Sequence, residues 1–329
     1  MNLFHSFTSN IAGATLLVLA LVTSPVAAQI AGLTNDGWHT WRVEAVESAP
    51  ELCCYDWRGG RPANPGCDLD SQRGGYGSMS DATGGDVQLY VRVEDGAVAD
   101  IRALSASCPV TSESPIIDLG QLDNADSVAW LEDHIVAGND LSSDAIAAVS
   151  VHDGDAAVRL LTDRARNAAD EDIREESIFW MAQVRVDETA DVLKDFIFDD
   201  DDADIREHAA FSYSQSDADD VTEVLIRQGR RDADPDVRTQ AWFWLAQTEA
   251  VESEDVILRA IREDADDDVR EDAVFALSQL PEDRAVAALG QVLEDTDLDR
   301  DIREQALFWL VQSDTDEAFE YLDDILSAN

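Results

Sequence analysis

The sequence predicts a mainly helical protein, with a C-terminal α-solenoid preceded by a small disulfide-bonded α+β domain. Three observations carry that prediction. A twelve-residue block recurs five times in the second half, at spacings of 32, 32, 32 and 33 residues. All four cysteines fall between positions 53 and 108, in a stretch whose apolar residues alternate as strands do. Ahead of both lies an apolar run from Ile11 to Val22, closed by Ser24-Pro25-Val26-Ala27-Ala28.

The apolar run is 12 residues long, and a spanning helix needs ~20. Val26 and Ala28 supply the small residues that a secretory cleavage site places at -3 and -1. Residues 1–28 therefore read as a signal peptide cut after Ala28, although no Lys or Arg precedes the run. No later segment reaches spanning length. The mature chain is expected in the periplasm or outside the cell.

Residues 29–139 form the first expected domain. Gly37 to Val46 alternates as a strand, and Val87, Leu89, Val91 and Val93 mark another. Asp95-Gly96 is a hairpin turn, and Ala97 to Leu104 is the returning strand. Arg58 to Gly85 is Gly-rich and reads as a loop, and Ser127 to Val136 reads as a short helix. In an exported chain, Cys53, Cys54, Cys67 and Cys108 read as two disulfides. A Cys53–Cys54 bond would close a strained eight-membered ring. On an extended segment those neighbours point to opposite sides, so that one reaches Cys67 and the other Cys108. A metal site would need C-x-x-C or nearby His, and neither is present.

Residues 140–329 form the second expected domain. The blocks begin at Asp172, Asp204, Asp236, Asp268 and Asp301 and carry Arg174, Arg206, Arg238, Arg270 and Arg303. A fainter copy at Asp140 to Val149 lacks the Arg and the Phe, as a capping repeat would. Each block reads as a helix with its first Asp at the N-cap. Ile173, Ser177, Trp180, Met181 and Val184 make one apolar face. Phe179, Phe211, Phe243, Phe275 and Phe308 lie off that stripe and are expected to fill the seams between repeats. A second apolar helix follows each block, and Asp-rich turns join the copies. Two helices per ~32 residues, stacked five times, make an α-solenoid.

The D-[IV]-R-x-x-A-x-x-x-L pattern with acidic turns resembles short HEAT-like repeats of the phycobilin-lyase type, from about Asp140 to Leu326. The segments Ile101 to Val110 and Ala125 to Leu131 resemble the N-terminal part of exported bacterial HEAT-repeat proteins. That resemblance implies a cell-envelope protein and names no reaction.

Charge narrows the function. Seventy acidic residues against 23 basic ones give a net charge of -47, which opposes binding to nucleic acid. Lys194 is the sole lysine; that composition suits a chain kept hydrated in salty surroundings. Catalytic patterns are incomplete. Gly75-Tyr76-Gly77-Ser78-Met79-Ser80 lacks the third glycine of a phosphate-cradling loop, and no G-x-S-x-G is present. Asp295 to Asp301 begins like a calcium loop, but Arg300 stands at its sixth place and Ala306 at its twelfth. Loose Ca²⁺ or Na⁺ binding by the Asp-rich turns is the only cofactor expectation. No His-Glu dipeptide occurs, so the di-iron site of HEAT-like hydroxylases is not expected. His39 and His134 read as a strand residue and an exposed helix residue. Trp180, Trp244 and Trp309 at equivalent places, with Trp242 on a flank expected to be exposed, are the candidate partner-binding residues. The expected function is a non-catalytic scaffold for a protein partner. The alternative is a redox, sensor or enzyme activity in the cysteine domain.

Overall fold

The computed structural model describes residues 30–328 except 31, 59–60, 64, 72–74, 84 and 249, so the expected signal peptide lies outside the described residues. Three strands form where alternation placed them: β1 (Gly37–Glu44), β6 (Asp86–Glu94) and β7 (Ala97–Ser105). With β9 (Ile116–Gln121) they make a sheet ordered β7-β6-β1-β9. Asp95 and Gly96 turn the β6–β7 hairpin with φ of 51° and 75°, as a primed two-residue turn requires. β1 is covered on both faces. Trp41 and Val43 join the helices, while Trp38 packs with Cys53, Cys67, Leu104 and Cys108.

The stretch read as a Gly-rich loop holds three strands instead. β3 (Arg61–Ala63), β4 (Cys67–Asp68) and β5 (Gly75–Thr83) lie within it. β5 pairs antiparallel with β2 (Pro50–Arg58), placing Gly77 opposite Cys53. β4 pairs with β8 (Val110–Thr111). A strand rich in Gly and Ser keeps its backbone hydrogen bonds but shows no apolar alternation to read. Cys53 bonds to Cys108, and Cys54 to Cys67. One of the adjacent cysteines thus reaches Cys67 and the other Cys108, and the two bonds lie side by side in one cluster with Trp38, Leu69 and Leu104.

α1 (Asn124–Glu132) leads from the sheet into the helices. α2 (Ser142–Ser150) and α3 (Asp155–Asn167) correspond to the faint copy. α4 (Glu171–Asp199) is two helices joined at Arg185, whose φ of -129° breaks the helical run. The remaining helices are α5 (Ala203–Ser214), α6 (Val221–Arg231), α7 (Pro235–Gln247), α8 (Ser253–Glu263), α9 (Asp267–Leu277), α10 (Glu282–Glu294), α11 (Arg300–Gln312) and α12 (Asp316–Ala328). The first helices of the repeats (the N-terminal half of α4, then α5, α7, α9 and α11) pack side by side. α6, α8 and α10 each pack on the first helix of the following repeat. No described helix is long and apolar enough to cross a membrane.

The sheet packs on α1 through β1 and on α2 through β7. Trp41 Nε1 donates to Ser127 Oγ at 2.9 Å, and Ser127 Oγ lies 2.8 Å from His152 Nε2. His152 Nδ1 is 2.7 Å from the Ala148 carbonyl, so it carries the proton and Nε2 accepts from Ser127. Burial pushes His152 down to about 4, so it stays neutral. Arg185 is buried and donates to the carbonyls of Ser150 and His152 at the end of α2. That satisfies carbonyls left open by the helix end. Sheet and solenoid thus share one core.

The Asp-rich turns are structural. The N-cap of the first helices is Asp170, Asp202, Asp234 or Asp266, two residues before the position the sequence suggested. Asp234 Oδ1 accepts from Asp236 N at 2.9 Å, and Asp266 Oδ1 accepts from Asp268 N at 3.0 Å. Asp172 and its equivalents instead sit in the first turn, where negative charge favours the helix dipole. The motif arginines clamp the turns. Arg206 holds Asp232 with two bonds of 2.9 Å, and Arg238 holds Asp264 at 3.0 and 2.9 Å. Arg174 reaches Asp200 at 2.7 Å, and Arg270 reaches Asp299 at 2.9 Å. In the last copy, Arg303 Nε is buried without a partner among the described residues.

Candidate docking surface

Within each block, the second, sixth, seventh and tenth residues lie on one face of the helix, and the first, fourth, eighth and twelfth on the opposite face. The inward set includes Val237, Ala241, Trp242 and Leu245, all buried. The outward set carries an Asp first, Glu or Thr fourth, Phe eighth and Gln twelfth in every copy.

Trp242 is the main correction. The sequence placed it on an exposed flank, but it is 1% exposed. It fills a gap opposite Gly229 on α6, where an added Cβ would lie 2.7 Å from the indole. Its position varies among the copies (Ile178, Ala210, Trp242, Val274, Leu307) because its surroundings vary. One period to either side of Gly229 stand Ile197 and Ile261, in repeats that precede Ala210 and Val274. At Gly229 with Trp242 and at Ile197 with Ala210, a small residue in one helix goes with a large one in the other, as close packing favours. Trp242 is withdrawn as a partner-binding residue.

The phenylalanines bridge adjacent repeats as expected, but from the outer edge of the seam and not from within the core. Phe179, Phe211, Phe243 and Phe275 are half-buried, and Phe308 is 52% exposed. They do not belong to the core, whereas Trp180, Trp244 and Trp309 pack partly against it. Together the rings form an unbroken ladder. Trp180 meets Phe179 at 5.5 Å, Phe179 stacks on Phe211 at 6.4 Å, and Phe211 meets Trp244 at 4.8 Å. Trp244 meets Phe243 at 4.8 Å, and Phe243 stacks on Phe275 at 5.8 Å. Phe275 then meets Trp309 at 4.8 Å, and Trp309 meets Phe308 at 5.0 Å. Ser212 and Ala276 stand at the tryptophan place in the alternate copies. Their small size leaves room for Trp244 and Trp309 to contact the phenylalanine of the preceding copy.

An acidic rail runs beside the rings. Burial raises the carboxyls of Glu175 and Glu207 above the usual range, and neighbouring carboxylates add to it: Asp172 and Asp204 at the first, Asp204 and Asp236 at the second. Asp272 is raised by burial and then by Asp268 and Asp236. α5, α7 and α9 carry no Lys or Arg except the motif arginine. The cations that do stack on rings in the solenoid lie over second-helix residues or inward ones: Arg166 on Phe196, Arg227 on Phe198 and Lys194 on Tyr213.

Other candidates are accounted for. No described cysteine is free, and Cys53, Cys67 and Cys108 are buried. Their sulfurs form the one described cluster of three metal-type ligands, and all are in disulfides. The Asp-rich turns gather no such cluster among the described residues, so the cation expectation gains no site. His39 is buried in β1; His134 is half-buried in the turn after α1, its ring 4.2 Å from Trp130, and not exposed on a helix as expected. His208 Nε2 lies 3.1 Å from the Glu175 carbonyl.

A stack of two-helix units with an open lateral face defines an α-solenoid, a class whose repeats serve in general as interaction scaffolds. The chain belongs to the HEAT-repeat family: HEAT repeats match residues 158–246, 222–311 and 254–329. Among solved structures it is similar to human deoxyhypusine hydroxylase in complex with glycerol, at 14% identity over 60% of this chain and 77% of that one, with a TM-score of 0.27. Likeness at that level carries no activity across. No curated protein matches the chain.

Proposed function

We propose that the protein is a non-catalytic interaction scaffold of the cell envelope that binds a protein partner through its solenoid. The observation that carries this reading is the open aromatic ladder on the first helices. A continuous row of half-buried rings outside the core is apolar surface of the kind that supports an interaction site. Two disulfides support an oxidising compartment, as the N-terminal sequence suggests. The acid excess supports a salty, hydrated setting and opposes nucleic acid. The test is affinity capture from an envelope fraction with the mature chain, followed by reconstitution from purified components. A stoichiometric complex is expected. Failure of every captured protein to reconstitute one overturns the scaffold reading.

A further inference from the structure

We propose that the aromatic ladder is a track for an extended polypeptide segment bearing regularly spaced arginine or lysine side chains. The proposal rests on the scaffold reading and names its site and ligand. Three observations on the outward face support it.

The first is constancy on the outer face. All five copies keep Phe at the eighth place and Gln at the twelfth, although these residues face away from the core. The seventh place, buried in the first four copies and exposed at Leu307, meanwhile holds Ile, Ala, Trp, Val and Leu. The fold alone would constrain the inward face more tightly.

The second is uncompensated charge. Glu175, Asp204, Glu207 and Asp236 crowd one another beside the rings, and the motif arginines are engaged with the turns. Among the described residues no Lys or Arg stacks on these rings; His208 lies 5.8 Å from Phe211 and 3.8 Å from Glu175, but burial lowers it towards the neutral form. A partner's guanidinium or ammonium would therefore both stack on the rings and relieve the carboxylates. A second copy of this acidic chain would repel, and a neutral sugar would leave the carboxylates unpaired.

The third is spacing. Packed helices lie ~8–10 Å apart. A polyproline-type strand turns once in three residues and rises ~9 Å. Every third residue would therefore meet about one helix, with the rings of Phe179 and Phe211 (6.4 Å) and of Phe243 and Phe275 (5.8 Å) drawn together in pairs, and the five helices would hold about twelve residues. Gln183, Gln215 and Gln279 donate to Ser212 O, Ser214 Oγ and Ser278 Oγ, which leaves their side-chain carbonyl oxygens to accept from the peptide backbone.

The experiment uses the full mature chain and a labelled (Arg-Pro-Pro)₄ peptide, read by fluorescence anisotropy. (Glu-Pro-Pro)₄ and cellohexaose serve as comparison ligands. Binding of the arginine peptide alone is expected. Phe211→Ala and Trp244→Ala should each weaken it by about tenfold, the size of a desolvated cation–π contact. Glu207→Gln, which keeps the side-chain shape, should weaken it and lower its salt dependence. Melting curves confirm that each variant is folded. Binding of the arginine peptide that ignores ring removal means diffuse attraction to an acidic surface and overturns the track. Binding of cellohexaose that the same ring variants abolish also overturns it, in favour of a glycan. No binding of the arginine peptide by the wild-type chain overturns it too. In these cases the scaffold stands if a stoichiometric partner is reconstituted, and falls only if none is.

Discussion

Trp242 and Phe243 are adjacent in the chain but sit on opposite faces of α7. Trp242 is closed in against Gly229, and Phe243 lies outward between Trp244 and Phe275. Among the copies, the inward position changes and the outward one does not. A buried position needs only to complement the residue it meets, so a pair of positions can trade volume between them. Variation along a repeat is therefore no sign of exposure, and constancy is no sign of burial.

The largest effect that would test this contrast is at Trp242. Trp242→Ala should cost ~3–5 kcal/mol by leaving a cavity, read by chemical denaturation. Gly229→Ile alone should also destabilise by overpacking. The double variant should recover part of the loss, because it recreates the Ile197 and Ala210 combination. Additive losses would break the volume-trading account.

Next in size is the clamp between repeats. Arg238→Ala leaves Asp264 without its two-bond partner and should cost about 2–3 kcal/mol. Arg238→Lys should restore less than half, since an ammonium cannot make the paired geometry. Full rescue by Lys would reduce the clamp to a simple charge contact.

Phe243→Ala should cost only ~1 kcal/mol, about the worth of its edge and stacking contacts with Trp244 and Phe275. A loss equal to that of Trp242→Ala would end the distinction between the two faces.

The smallest effect concerns pH. Asp144 is pushed up to about 6, first by burial and then by Asp100, and Glu175, Glu207 and Asp272 are raised as well. Each folded value lies above the unfolded one. The charged form is therefore penalised in the fold, fully above the folded value and not at all below the unfolded value. His152, His39 and His208 act the other way, because burial lowers them and unfolded imidazoles take up protons in the same window, so the carboxylate effect is read as a difference between variant and wild type. The melting temperature of Glu207→Gln relative to wild type should be higher at about pH 8 than at about pH 5.5 in low salt, by an amount that salt screening reduces. A difference that does not shrink as pH falls would show that Glu207 is not crowded.

The solenoid was legible because its signal is repeated. One Asp-Ile-Arg segment means little, but five at a near-constant period fix both the helix and the stacking. The hairpin at Asp95-Gly96 was equally plain, since the turn chemistry and the alternation on both sides agree. β5 was not legible, because Gly75 to Ser80 pairs through its backbone and carries no apolar pattern. The N-cap was misplaced by two residues, because every turn offers several aspartates and only geometry selects among them. The ring ladder could have been found from the helical wheel alone, by asking which invariant positions share a face.

By itself, then, the sequence determined the repeat, its helices, the acidic charge and the four cysteines that lock the sheet domain. Local preference and periodicity suffice for those. The tertiary structure alone decided the pairing of Cys53 with Cys108 and Cys54 with Cys67, and the docking of the sheet on α2 through Ser127 and His152. It also decided that Trp242 is core while Phe243 is half-buried on the opposite face. Those outcomes depend on which side chains from distant segments meet and on the volume each leaves the other, and no local pattern records that.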